Sequence, residues 1–318
     1  MEISLVVLSY NKASIVKRTC AHNLGLASRF GVEVIFVDNN STDETYDIIL
    51  SECMSGAKEI IRNERNLGVA AGRNIGLMRA SGEYIIYADE DVLLDDNIFE
   101  ETARVFKEIR DAGAITFRLF DQLGNVMYDW GDCTKEIGNF QGAAHAFRKE
   151  ALEAVGFLDA ECFFGGEEFD MSVRLRNAGY HTIYVPTVKL THYNSETPSI
   201  ANQERKKMWI YNYTRVIYKN FPILKAIKFS FNYSAGYILS TARSNGVCAA
   251  VSLVPSVLRG AVRGVGQNIP AREGMLEFYS QNHVRPEYGN VSLVGKIAKW
   301  IIISRKKNKE IKGKKIGR

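Results

Sequence analysis

Tyr84-Ile85-Ile86-Tyr87-Ala88-Asp89-Glu90-Asp91 is a short, β-rich apolar run that ends in three carboxylates. A buried strand that delivers acids at its C-terminal end is how an open α/β sheet presents groups to its ligand crevice. On an extended backbone Asp89 and Asp91 project to the same side. Such a pair suits a hard divalent cation and, through it, a diphosphate. The plainer reading is an acidic turn that opens the next helix, because Asp95 and Asp96 follow and acids favour helix N-termini. The sequence on either side of the run decides between the two.

Before the run, short β-rich segments alternate with helical patterns. Strands are expected at Ile3–Ser9, Val32–Asp38, Glu59–Arg62 and Glu83–Ala88, and helices at Lys12–Arg29, from Ser41 to about Met54, and at Val69–Ala80. Ser41 and Glu44 read as a capping box, with Ser41 as N-cap. After the run come a helix at Asn97–Arg110 and a strand at Ala114–Leu119. This alternation predicts an α/β fold with a mixed, mainly parallel sheet flanked by helices. The pattern then changes. Asp121 to Asn125 reads as a hairpin turn, Arg148–Val155 as a short helix, Glu167–Asn177 as a helix behind Gly165-Gly166, and His181–Val185 as a strand that Pro186 ends. Beyond Ser199 the chain is helical and aromatic, which predicts a helical C-terminal extension. Three regions are expected: 1–120, 121–205, and an amphipathic helical region with a basic tail over 206–318.

The 318 residues suffice for one large domain or one domain with an appendage. The five cysteines are scattered and include no CxxC pair, which argues against a disulfide framework or zinc site and for a reducing, cytoplasmic setting. Met1 to Leu8 lacks a basic n-region and reads as a core strand, not a secretory leader. No uninterrupted apolar run reaches bilayer length. Lys299 to Arg318 holds nine Lys/Arg and one Glu, so the formal net charge of +5 is attributed to a tail, and nucleic acid is not an expected partner.

Two further strand ends place polar groups where a ligand would sit: Leu8-Ser9-Tyr10-Asn11-Lys12 after the first strand, with Ser9 and Tyr10 as candidates, and Val37-Asp38-Asn39-Asn40-Ser41-Thr42-Asp43 after the second, with Asp38 and Asn40. A carboxylate at position 38 can accept hydrogen bonds from a base or ribose, although an Asx-turn also explains it. Asn66-Leu67-Gly68 then leads into a helix whose N-terminus would favour phosphate, and Arg73 could pair with a diphosphate bidentately. The small residues there also suit close helix–sheet packing. No GxGxxG or GxxxxGKS loop occurs, which disfavours dinucleotide oxidoreductases and P-loop enzymes.

Val6-Val7-Leu8-Ser9-Tyr10-Asn11, Val37-Asp38-Asn39-Asn40-Ser41-Thr42-Asp43, Asn66-Leu67-Gly68 with Gly72-Arg73-Asn74-Ile75-Gly76, and Ala88-Asp89-Glu90-Asp91 occur in that order. The series resembles a family 2 glycosyltransferase of GT-A fold over roughly Ile3 to Tyr193, with the rhamnosyltransferase-like members as one subgroup to consider. The resemblance implies that the first half binds a nucleotide-sugar (UDP-, GDP- or dTDP-linked) and that Mg²⁺ or Mn²⁺ is held on its diphosphate. Carried over, Asp38 contacts the base, Asp89 the ribose or metal, and Asp91 the metal. Phe163-Phe164-Gly165-Gly166-Glu167-Glu168-Phe169-Asp170 resembles the family's acidic motif, with Glu168 where an Asp is usual. Glu168 is the implied general base and Glu167 the runner-up. His192 stands where the family often has a third metal ligand, and it can equally be a packing residue.

The implied reaction is displacement at the anomeric carbon by an acceptor hydroxyl, with inversion because a single base acts. The acceptor is expected to be a cell-envelope or lipid-linked glycan or a protein. Val291–Ile303 followed by the basic tail fits a helix lying on an anionic membrane, so a peripheral position on the cytoplasmic face is expected. A nucleotidyltransferase on a similar sheet and a non-catalytic nucleotide-sugar-binding module are the rival readings. Retention of both acidic motifs speaks against the second.

Overall fold

The computed structural model describes residues 2–193, 202–269, 271–272 and 274–280. The elements run in this order: β1 (Ile3–Ser9), α1 (Ala13–Arg29), β2 (Glu33–Asp38), α2 (Thr45–Cys53), β3 (Glu59–Arg62), α3 (Val69–Arg79), β4 (Tyr84–Asp89), β5 (Val92–Leu93) and α4 (Ile98–Glu108). Then come β6 (Ala112–Asp121), β7 (Val126–Tyr128), β8 (Lys135–Ile137), β9 (Ala144–Arg148), α5 (Lys149–Val155), α6 (Glu167–Asn177) and β10 (His181–His192). Five helices follow: α7 (Asn202–Asn220), α8 (Ile223–Asn245), α9 (Val247–Val251), α10 (Val254–Gly266) and α11 (Met275–Ser280). Helix α7 runs across the boundary expected at 205/206. The segment Val291–Ile303 and the basic tail lie outside the described residues.

One mixed sheet carries the fold, in the order β3-β2-β1-β4-β9-β6-β10-β5, with β7 paired to β6 and β8 to β10. Strands β3, β2, β1 and β4 are parallel, and β9 is antiparallel to both β4 and β6. Every residue of β1 is buried, as expected of a parallel strand covered on both faces. Leu5, Val7, Val34 and Phe36 point to one core with α1, α2 and α4, while Val6, Leu8, Ile35 and Val37 point to a second with α3, α5 and α6. The small residues of α3 serve that second core. A Cβ on Gly76 would overlap Val6, and one on Gly72 would meet Leu8 at 2.9 Å.

Three expectations need correction. The capping box does not form. Helix α2 starts at Thr45, because the Ser41 hydroxyl is taken by the Asn11 N–H (3.0 Å) and Asp43 accepts the Thr45 N–H instead (3.0 Å). Strand β9 was not foreseen. It is buried at all five positions, so it lacks the alternation that marks a half-exposed strand. Pro186 does not end β10. The strand bulges between Val185 and Lys189 and continues beside β6 to His192, the kind of interruption that accommodates a residue lacking an N–H. The stretch Val247–Gly266 is long and apolar enough to cross a membrane by length and composition alone, but Arg259 and Arg263 interrupt it and a turn at Ser252 and Leu253 divides it.

Helix α10 lies so close to α7 that a Cβ on Gly260 or Gly264 would overlap the Tyr211 or Arg215 carbonyl. Gly264→Val should therefore push the helices apart and lower stability by about 1–3 kcal/mol. Urea unfolding measures this, and an unchanged midpoint would show that the contact is not tight in solution.

Candidate active site

The C-terminal ends of β1 and β4, the start of α6 and the first turns of α7 surround one cleft of about 550 Å³. Of the residues singled out from sequence, Tyr10, Asn66, Arg73, Asp89, Asp91, Glu167, Glu168 and His192 line it. Ser9, Asp38 and Asn40 do not. Ser9 and Asp38 are buried behind the cleft, side by side on β1 and β2. Asp38 Oδ2 accepts the Ser41 N–H at 3.0 Å, whereas its Oδ1 has no hydrogen-bond partner among the described residues. Asn40 takes a left-handed backbone conformation, φ 65°.

The bulge of β10 and the two-residue strand β5 together deliver His192. Thr191 and His192 pair with Leu93 and Val92, and the Tyr193 N–H donates to the Asp91 carbonyl at 2.8 Å. His192 Nε2 then lies 3.2 Å from Asp91 Oδ1, and Lys12 Nζ lies 2.6 Å from Asp91 Oδ2. Burial opposes ionisation of Asp91, but the His192 and Lys12 contacts outweigh it and hold its carboxyl below the usual range. Burial raises Asp89 and, more strongly, Glu90, with the neighbouring acids adding to both shifts. The three consecutive acids thus do not carry three equal charges.

Arg73 is the hub. Its side chain is almost wholly buried. Nη1 donates to Glu167 Oε1 (3.0 Å), Nη2 to Asp89 Oδ1 (3.3 Å) and to the Gly142 carbonyl (3.0 Å), and the guanidinium lies 4.4 Å from the centre of the Tyr87 ring. These groups keep it charged despite burial. Its donors are directed at protein groups in this conformation, not outward as a diphosphate fork. The N-terminus of α3 is likewise engaged, since the Val69 N–H donates to the Phe163 carbonyl at 2.7 Å.

Glu167 and Glu168 open α6 behind two glycines in the left-handed region, Gly165 (φ 73°) and Gly166 (φ 94°). The glycines are required because Trp209 and Asn212 of α7 press on them from above, and Asn212 Nδ2 donates to the Phe164 and Gly165 carbonyls. Glu168 reaches the cleft beside Gly142, where any Cβ would overlap Glu168 Oε1. Its Oε2 is buried with no hydrogen-bond partner among the described residues. Asp170 turns away, bonded to Arg174 and Lys219.

Among the described residues no three His, Cys, Asp or Glu side chains converge closely enough to ligate an ion unaided. A Mg²⁺ or Mn²⁺ that travels with a diphosphate needs only one or two protein carboxylates, with phosphate and water completing the shell. Two carboxylates at and just past the end of β4 and an imidazole at the end of β10 fit that requirement, and Lys12 already places a cation against Asp91.

Lys12 and Asn39, from the two strand ends named in the sequence, also line the cleft, as do Gly142 and Trp209, which sequence reading missed, and Phe163 and Phe164, to which it gave no role of their own. Asn39 organises the loop before α3, accepting from Leu67 N (3.0 Å) and Asn63 Nδ2 (3.0 Å) and donating to Asn66 Oδ1 (2.9 Å). Arg205 of α7 also lines the cleft and stacks on Phe164 at 4.5 Å. The signal for α7 was its run of aromatics interleaved with basic residues, which gave no indication of the fold's interior it faces.

Two family models match the chain: Glycosyl transferase family 2 over residues 4–158 and Glycosyl transferase family group 2 over residues 84–262. Among curated proteins, the chain is 25% identical over 245 residues to a poly-beta-1,6-N-acetyl-D-glucosamine synthase of Staphylococcus epidermidis, covering 72% of this chain and 58% of that protein. It is 26% identical over 225 residues to the putative glycosyltransferase EpsH of Bacillus subtilis, covering 65% and 64%. The chain thus spans somewhat under two thirds of these relatives' lengths. Among solved structures it resembles S. aureus TarS 1-349 in complex with UDP-GlcNAc (TM-score 0.59, 15% identity, 83% of this chain and 82% of that one). It also resembles the mannosyltransferase PcManGT from Pyrobaculum calidifontis in complex with GDP-Man and Mn²⁺ (TM-score 0.54, 17% identity, 84% and 86%). These neighbours share the GT-A architecture expected from the ordered motifs.

Burial, and then the neighbouring Glu168, push the Glu167 carboxyl from 4.5 up to about 8. Across that window the folded chain keeps a proton that the unfolded chain has released. Folded stability should therefore fall as pH rises, by at most about 1.4 kcal/mol per pH unit. Glu167→Gln should flatten the decline. Urea midpoints at pH 6 and pH 8 compare the two chains, and an equal decline in both would remove Glu167 as its source.

Proposed function

The chain belongs to Glycosyl transferase family group 2, and on that premise we propose that it moves a sugar from a nucleoside-diphosphate sugar to a hydroxyl of a glycan acceptor, with inversion at the anomeric carbon. One observation carries this reading: the acids ending β4 and the acids opening α6 face a single cleft and are joined through Arg73. A donor diphosphate would lie against the β4 end, where Asp89, Asp91 and His192 would hold its divalent cation. When bound, that cation supplies Lewis-acid neutralisation of the departing nucleoside diphosphate. Lys12 adds positive charge on the same wall. Asp38, expected to contact the base, is buried behind the cleft in this conformation, so a base contact with its unpartnered Oδ1 would require the loop after β2 to open.

Glu168 is the proposed general base. Its free Oε2 would take the acceptor hydroxyl's proton as that oxygen attacks the anomeric carbon, while Glu167 stays tied to Arg73. A single base opposite the leaving group gives one displacement and one inversion, without the covalent intermediate that two close carboxylates would permit. The acceptor's sugar ring would stack its apolar face on Phe163, Phe164 or Trp209, at the end of the cleft nearest Glu168. The name of one curated relative, a poly-beta-1,6-N-acetyl-D-glucosamine synthase, supports a polysaccharide as the acceptor class.

Release of nucleoside diphosphate from a panel of UDP-, GDP- and dTDP-sugars, with and without acceptor, tests the reading. Glu168→Gln should bind donor as the wild type does and lose transfer by about 10²–10⁴-fold. Near-wild-type turnover would take the base role from Glu168. Chelation should abolish turnover, with Mg²⁺ or Mn²⁺ restoring it, and Asp91→Asn should raise the metal concentration needed for half-activation. Full activity in chelator would exclude the metal from the mechanism.

A further inference from the structure

The C-terminal helices carry a charge and apolar pattern that the cleft does not use. From Arg205 to Arg272 the chain has eleven Lys and Arg and no Asp or Glu. Residues 1–204 have 19 Lys and Arg against 32 Asp and Glu, a net of −13. Attributing the basicity to the tail alone therefore overlooked a second positive block, which cancels against an acidic body in the total. Arg215, Lys219 and Arg263 of that block pair with Asp159, Asp170 and Glu161 of the body. Lys225, Lys228 and Arg259 stand exposed on α8 and α10.

The same helices expose most of the described chain's large apolar side chains: twelve lie between Ile223 and Ile269, against six elsewhere. Val251, Val254, Leu258, Val262 and Val265 are 60%, 41%, 62%, 75% and 42% exposed. At 3.6 residues per turn the last four, all on α10, fall within an arc of about 80°. The opposite side of α10 is fixed, since Ser256, Gly260 and Gly264 are buried, the two glycines against the α7 backbone. The stripe cannot rotate inward without breaking that contact. Leu224, Ile227 and Phe231 (84%, 50% and 62% exposed) give α8 a similar start, with Lys225 and Lys228 between them.

Patches of this size on an ordinary soluble surface mark a place of contact. The charge decides what is contacted. A second copy of the same face would set two acid-free basic blocks against each other. An anionic bilayer supplies what the face lacks: acyl chains for the stripe, and phosphates for the Lys and Arg beside it. The acidic body is repelled by the same surface and would face away from it. We propose that the exposed faces of α8, α9 and α10 form a peripheral docking surface for an anionic lipid bilayer, with α10 lying in the headgroup plane. A crossing helix is disfavoured because α10 is anchored to α7 by its glycine face and is separated from α9 by the turn at Ser252 and Leu253.

Flotation of the full chain with vesicles of phosphatidylcholine, with or without phosphatidylglycerol, tests this. The expected result is binding that needs phosphatidylglycerol, weakens with salt, and falls about tenfold or more in the Leu258→Glu/Val262→Glu double variant. That variant should keep its thermal midpoint and its donor turnover, because both side chains are exposed and remote from the cleft residues. Lys225→Glu/Lys228→Glu, a milder surface change, should reduce the preference for phosphatidylglycerol. Absent binding, equal binding to both vesicle types, or equal binding of wild type and both variants (the mark of the basic tail acting alone) would each overturn the proposal. So would a solution dimer that the double variant dissociates, or resistance to alkaline extraction, which would assign the face to another copy or to a membrane-crossing helix.

Discussion

The cleft depends on one buried cation. Arg73 touches the end of β4 through Asp89, the start of α6 through Glu167, the loop before β9 through the Gly142 carbonyl, and the Tyr87 ring. Asp89, Glu167 and Glu168 crowd one another in a poorly solvated space, and Arg73 offsets part, though not all, of the burial and repulsion that raise Asp89 and Glu167. The guanidinium's fixed fork suits it to this task better than an ammonium would. It makes two acidic motifs, distant in sequence, into one rigid object. In the proposed reaction, donor and acceptor chemistry are therefore positioned by the same residue.

A second ionic cluster brings the C-terminal helices into that object. Arg215 and Lys219 of α7 reach Asp159, and Lys219 also reaches Asp170 one turn into α6. Burial opposes the ionisation of Asp159, but Lys219 and Arg215 hold its carboxyl down at about 2. Asn212 ties the same helix to the glycine turn that aims Glu167 and Glu168. The acidic body and the basic helices thus meet through ion pairs, one of them to Asp170, two residues beyond the proposed base.

Local pattern was enough for much of this. Strands β1 and β3 and helix α6 begin and end where their sequence patterns put them, because each is a contiguous run whose burial or capping is set by near neighbours. The acid pairs were equally legible, since the strand or helix that carries each is continuous with it. What escaped was decided at long range. The Ser41 hydroxyl was captured by Asn11, thirty residues away. Strand β9 is wedged between two partners and shows no face to water, so it has no alternation to read. The tilt of α7 against the glycine turn exists only in the assembled fold, and its Trp209 could not be assigned to the cleft from a run of aromatic and basic residues. His192 was noticed, but its approach to Asp91 comes from β5, a strand of two residues that no periodicity can reveal.

The bulge at Pro186 has a consequence for how such a site can change over evolutionary time. Side chains on a strand alternate between faces, so the three residues interposed between Val185 and Lys189 set which face every later position occupies. Substitution within those three residues leaves the parity intact. Deletion or insertion of one residue reverses it, turning His192 away from Asp91 and bringing Thr191 or Tyr193 round in its place. At this edge of the cleft the length of the bulge matters to the site, while Val188 within it is held by the core.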